Sequence, residues 1–133
     1  MLKPHPQLHA SLASAGTTSV ALTIRNDSDE EAFVTSYNLP SADGSLDNSV
    51  FDFKDARPRF RGVRAKRDVV QLSDCVSLAP GAVHKATVDL ADWYELPRGV
   101  LEVGYLAFHD FPSTLEATAV CTNYVRIRGA GDQ

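Results

Sequence analysis

Apolar and polar residues alternate along most of this chain. In QLHASLASA (residues 7–15), Leu8, Ala10 and Leu12 fall on one side, with His9 and Ser11 on the other. In SVALTIRN (19–26), Val20, Leu22 and Ile24 oppose Ser19, Thr23 and Arg25. A period of two is the mark of half-buried strands. The acidic run from Asn26 to Glu31 predicts a turn, and AFVTSY (32–37) a third strand. Pro40–Asn48 reads as a loop by composition, and SVFDF (49–53) as a short strand with Phe51 and Phe53 on one face. Pro80-Gly81 predicts a turn, then a strand in which Ala86, Val88 and Leu90 oppose Lys85, Thr87 and Asp89. ADWYEL (91–96) predicts a single helical turn. The most apolar strand is GVLEVGYLAFH (99–109), with Leu101, Val103, Tyr105 and Ala107 on one side and Leu106 and Phe108 on the other. TAVCTNYVRIRG (118–129) closes the pattern as one strand, with Cys121, Val125 and Ile127 opposed to Tyr124, Arg126 and Arg128.

About seven to eight short strands with frequent turn signals predict an all-β fold, an immunoglobulin-like antiparallel β-sandwich. It is expected to be one domain over residues 1–128, with 129–133 (GAGDQ) as a tail or linker stub. The cysteine-tryptophan-cysteine arrangement of antibody domains is not met, because Trp93 lies between Cys75 and Cys121 but in a predicted turn. A chain of 133 residues is long enough to bury a core without metals or disulfides. Its 44% apolar and 23% charged residues are those of an ordinary globular chain, and no apolar run is long enough for a membrane helix. Pro4, His5, Pro6 and Gln7 interrupt the apolar core that a signal peptide needs. The expected compartment is therefore the cytoplasm if Met1 is native, and the exterior if Met1 replaces a removed leader. Cys75 and Cys121 permit one disulfide, which would stabilise by about 4 kcal/mol, or two reduced thiols packed as small apolar groups. Asn26-Asp27-Ser28 fits a glycosylation sequon, which matters only in a secreted chain.

The chemistry of catalysis is missing from the sequence. His5, His9, His84 and His109 stand without acidic or thiolate ligands at zinc-like spacing. There is no HExxH, no glycine-rich phosphate loop and no GxSxG. Carboxylate pairs such as Asp52 with Asp55, or Asp89 with Asp92, fall at turns and strand ends, where solvated acids are common. The expectation is a protein that is not an enzyme and needs no cofactor and no metal.

One segment departs from the balance of the chain. The formal net charge is −4, yet Arg57, Arg59, Arg61, Arg64, Lys66 and Arg67 crowd into eleven positions without an acid among them. With Phe60 inward, strict alternation would turn Arg64 inward too, so a bulge at Gly62 is expected to let Phe60 and Val63 both face the core. One reading is an edge strand whose positive charges discourage sheet-to-sheet pairing. The other is a docking surface for an acidic protein partner, weakened by salt. Nucleic acid is disfavoured by the acidic balance and the lack of interleaved stacking aromatics.

Several segments, in order, resemble a known family. They are Asn26 at a strand end, Tyr37-Asn38-Leu39-Pro40, Phe51, Phe60-Arg61-Gly62, Lys66-Arg67, Leu78-Ala79-Pro80-Gly81, Val88-Asp89-Leu90 and Tyr94-Glu95-Leu96. Together they are similar to the N-terminal, propeptide-like region of deuterolysin-type metalloproteases, the aspzincins, which include the fungal peptidyl-Lys metalloendopeptidases. The resemblance covers about residues 8–128. The zinc-binding HExxH and the GTxxD aspartate of the protease domain are absent, so no catalytic residue carries over. The resemblance implies a non-catalytic, protein-binding β-sandwich that inhibits such a protease or helps it fold. Its expected contacts are the basic segment and the corner carrying Asp89, Trp93 and Tyr94. Two further expectations stand beside it: a free-standing sandwich that self-associates through the Leu106–Phe108 end or an edge strand, and a small-molecule or carbohydrate binder using Trp93 and Tyr94.

Overall fold

The computed structural model describes residues 3–4, 7–62, 75–108 and 118–129, with the backbone alone at residues 3, 4, 37, 108 and 118. Twelve strand segments occur among them. In chain order they are β1 (Lys3–Pro4), β2 (Leu8–Ser14), β3 (Ser19–Asn26), β4 (Ala32–Thr35), β5 (Phe51–Phe53) and β6 (Arg59–Phe60). Then follow β7 (Cys75–Leu78), β8 (Val83–Asp89), β9 (Tyr94–Glu95), β10 (Val100–Phe108), β11 (Thr118–Cys121) and β12 (Val125–Arg128). The fold is all-β and sandwich-like.

The alternating segments behave as their pattern requires. β2, β3 and β8 form an antiparallel sheet in that order, with Leu12, Leu22 and Ala86 in one row. The inward residues Val20, Leu22, Ile24 and Val88 are at most 1% exposed. The turn into β8 is the one expected. Ala82 N–H donates to Ala79 C=O at 2.9 Å, and Gly81 takes a φ of 78°. This is the pattern of a type II turn, with Pro80 presetting the first corner and glycine supplying the positive φ.

The second sheet is built around β10. β5 pairs with one edge of it, and β11 and β12 follow one another along the other edge. β1 adds a short parallel pairing to β11. Its Pro4 is tolerable because this is an edge. The segment expected as one strand over 118–129 is broken. Val103 pairs with Val125 and Leu106 with Cys121, so two residues of β10 face three of the partner, 122–124. That is a β-bulge. Tyr105 N–H, which would otherwise meet a strand carbonyl, donates to Thr122 Oγ1 at 2.8 Å. The extra residue reverses the inside-outside parity, so Val120 is buried while Cys121 is exposed, contrary to the expected placement of Cys121 with Val125 and Ile127.

Leu12, Leu22, Ile24 and Val88 of the first sheet share one core with Phe51, Phe53, Val103, Tyr105, Val120 and Ile127 of the second. Burying an aliphatic or aromatic side chain of this size contributes roughly 1.5–3 kcal/mol. The ion pairs of Glu102 with Lys54 and with Arg126, both 3.8 Å long and on the surface, are of a kind that contributes about 1 kcal/mol at most. The interlayer core therefore holds the sheets together. Two smaller pairs, β4 with β7 and β6 with β9, complete the pairing.

The segment read by composition as a loop, Pro40–Asn48, is more than a connector. Leu39, Leu46 and Val50 in and around it are buried, and Gly44, at a φ of 89°, lies so close to β8 that a Cβ there would stand 2.6 Å from Thr87 O. The loop thus packs against the outer edge of β8, where an open strand would invite pairing with another chain.

Candidate partner-binding surface

The basic segment begins in the connection after β5 and runs into β6. Here β6 pairs antiparallel with β9, Arg59 opposite Glu95 and Phe60 opposite Tyr94. Arg61 N–H extends the pairing to Trp93 C=O at 2.7 Å, and its guanidinium donates to Ala91 C=O at 3.2 Å. Alternation sends Phe60 toward the core and leaves Arg57, Arg59 and Arg61 exposed. None of these three forms an ion pair among the described residues. The Phe60 ring stacks on Trp93, with centroids 6.4 Å apart and planes 19° from parallel. Gly62 fits beneath that stack, where a Cβ would lie 2.5 Å from Phe60 Cζ and 3.2 Å from Trp93 Cε3. Arg64, Lys66 and Arg67, together with Val63 and the bulge expected to turn it inward, lie outside the described residues.

The corner at 89–95 is organised for stability. The expected helical turn is a 3-10 turn over Leu90–Asp92, and Asp89 is its N-cap. Asp89 Oδ1 accepts from Ala91 N–H at 3.1 Å and from Thr18 Oγ1 at 2.6 Å. Asp89 is exposed but committed to this cap. Trp93 is half-buried on Phe60. Tyr94, expected as a contact residue, is in the core at 1% exposure. Its hydroxyl accepts Phe51 N–H at 3.2 Å and lies 3.0 Å from Ser49 Oγ, while its ring meets Phe53 edge-on. It cannot present its ring to a partner or a sugar. A buried tyrosine needs a partner for its oxygen, and the backbone of β5 supplies one.

Beside this corner lies a groove of about 680 Å³, lined by Ser49, Phe51, Phe53, Ala56, Arg57 and Pro58, among others. A second hollow, of about 350 Å³, shares residues 53–56 with it and reaches Val100, Leu101 and Arg126. On the outer face of the second sheet the Tyr124 ring covers Gly104, where an added Cβ would be 3.3 Å from it. The Tyr124 hydroxyl donates to Asp52, and the Lys54 ammonium stands 5.5 Å from the ring centroid. The hydrogen bond to Asp52, reinforced by partial burial and the carboxylate charge, pushes the Tyr124 hydroxyl up to about 12.

The remaining candidates are separated or engaged elsewhere. No disulfide joins Cys75 and Cys121: Cys75 sits opposite Thr35 in the β4–β7 pair, and Cys121 is exposed opposite Leu106. His84 Nε2 meets Pro40 C=O at 2.7 Å, His9 is exposed, and His5 and His109 lie outside the described residues. Among the described residues no group of three or more His, Cys, Asp or Glu is placed to hold a metal ion. No helix in them is long and apolar enough to cross a membrane. The sequon is corrected by burial. Asn26 is fully buried, its amide donating to Glu30 C=O at 2.7 Å and Leu78 C=O at 2.9 Å, so its nitrogen is not open to a glycan in the folded chain.

The groove was not legible in the sequence. SVFDF followed by KDARP marks a short strand and a turn, but nothing in it says that this strand stands at a sheet edge. Compared with models of known protein families and with curated proteins, the chain matches none.

Proposed function

We propose that this chain is a non-catalytic binding module that takes a protein partner on the face carrying Arg57, Arg59 and Arg61. The observation that supports the reading is three exposed arginines, spaced two residues apart and without an ion pair among the described residues, the first of them on the wall of a groove. Cations so placed steer acidic partners and fix their orientation. The resemblance of the chain to the propeptide-like region of deuterolysin-type metalloproteases makes such an enzyme the first partner to try, as inhibitor or folding aid. Titrating the purified chain into a deuterolysin-type protease, with activity and co-elution as readouts, tests it. Binding at low salt that fades with added salt, and is lost when Arg57, Arg59 and Arg61 are all changed to Glu, supports the proposal. Tight binding that ignores those changes overturns the assignment of the face.

A further inference from the structure

We infer that the hollow between β12 and the turn joining β2 to β3 binds a small organic oxyanion, a phosphate or sulfate monoester. The hollow holds about 400 Å³, and its walls include Arg126, Arg128, Ser14, Thr17 and Val100. Its charge is of one sign. Two cations and two hydroxyls line it, and no carboxylate does among the described residues. The groove beside Arg57, by contrast, sets Asp52 and Asp55 against Lys54 and Arg57. The two share no lining residue, so the inference goes beyond the binding reading above and does not depend on it.

Strand alternation makes the cation pair. Ile127 of β12 is buried, at 3% exposure, so Arg126 and Arg128 stand out together on the opposite side. Residues two apart on a strand lie about 7 Å apart. At that spacing two long guanidinium side chains can converge on one oxyanion, whose geometry their donors match. The surrounding backbone is pinned. Arg128 N–H donates to Thr17 C=O at 2.9 Å, and Gly129 N–H to Gly99 C=O at 2.8 Å. Glu102 lies 3.8 Å from Arg126 Nε, but it lines the neighbouring hollow. An exposed pair of that length contributes too little to withhold the guanidinium from a better-matched anion. Val100, 59% exposed, gives the hollow an apolar wall beside its cations. A bare ion would leave that wall wet, whereas a carbon body joined to the anion would cover it. The volume falls within the roughly 300–1,000 Å³ of small-molecule sites.

The probes are phenyl phosphate, phenyl sulfate, phenol and inorganic phosphate, each titrated into the full chain at constant ionic strength and followed by backbone amide shifts. We expect a saturable shift at Thr17, Val100, Arg126 and Arg128 with an ester, and the tighter of the two names the anion. Phenol should give none, and inorganic phosphate should bind more weakly than phenyl phosphate. Arg126→Gln and Arg128→Gln should each weaken the ester about tenfold, the scale of one charge-assisted hydrogen bond, without moving the unfolding midpoint. Arg57→Gln, in the other groove, should leave ester binding as it was. Esters that produce no saturable shift, or that bind equally well after both Arg126 and Arg128 are changed to Gln, overturn the site. Inorganic phosphate as tight as phenyl phosphate overturns the organic body. Either failure leaves the partner face at Arg57–Arg61 untouched, because its test reads different residues.

Discussion

The side chain of Asn123 pairs with the backbone of Leu12 as a strand residue would. Its Oδ1 accepts Leu12 N–H at 3.0 Å, and its Nδ2 donates to Leu12 C=O at 2.9 Å. Leu12 lies on β2, whose even-numbered residues turn their backbone groups away from β3, and Asn123 lies in the bulge between β11 and β12. One amide thereby occupies an exposed edge of the first sheet and ties it to the second.

Asn123→Ala should cost about 1–3 kcal/mol, because it removes two hydrogen bonds and leaves a partly buried N–H and C=O. Asn123→Asp keeps the acceptor but sets a carboxylate against the Leu12 carbonyl, and should be no better at neutral pH. Urea unfolding of the three proteins checks this. An alanine variant as stable as the parent would show that water replaces the amide without loss.

Asn26 sits at a comparable junction with no solvent to fall back on. Its amide donates to two carbonyls while Oδ1 accepts Ser28 N–H and Oγ–H, at 3.0 and 2.7 Å. Asn26→Asp would aim carboxylate oxygen at the Leu78 and Glu30 carbonyls, at a cost of about 3–5 kcal/mol. A midpoint of denaturation within experimental error of the parent's would contradict the satisfied network.

Tyr124 sets a window at high pH. Its hydroxyl is raised to about 12 chiefly by donating to Asp52, and in the unfolded chain it titrates near the ordinary tyrosine value of about 10. A group whose folded value is raised holds its stabilising contribution below the unfolded value and loses it as pH rises through the folded one. The contribution should therefore be complete below pH ~10 and gone above pH ~12. In a tyrosinate absorbance titration, Asp52→Asn should move one phenol back toward its ordinary range. An unshifted curve would remove Asp52 as the cause.

Trp93 is the single tryptophan, so its emission reports directly on the corner beside the basic segment. Gly62→Ala should push Phe60 off the indole, because the added methyl would overlap the ring edge. A red-shifted emission with about 1–3 kcal/mol of lost stability is expected from the crowding. An unaltered spectrum would mean that the 59–62 segment shifts as a unit instead.

Much of the first sheet was legible because its strands obey one rule without interruption. β2, β3 and β8 alternate from end to end, and Pro80-Gly81 leaves one geometry for the turn that enters β8. The second sheet was harder to read where side chains replace backbone. Thr122 accepts a ladder hydrogen bond and Asn123 makes an interlayer one, yet neither residue changes the hydrophobic pattern in a way that marks a bulge. Tyr94 was misplaced because a polar tip and a position in a turn suggest a surface, whereas its oxygen is satisfied inside by Phe51 and Ser49. With Phe60 inward, alternation turns Arg59 and Arg61 outward, and both are exposed. That their strand pairs with the acidic corner, Arg59 against Glu95, depends on a contact far apart in sequence that no local pattern contains.

The odd residue in the bulge also governs which lengths evolution can sample here. A one-codon loss within 122–124 would leave two residues facing two of β10, so Val125 and Ile127 would keep their places and the loss would fall on the side-chain bonds that Thr122 and Asn123 make. A second loss would set one residue against two and turn Arg126 and Arg128 inward. The tolerated change at this site should therefore be a single loss.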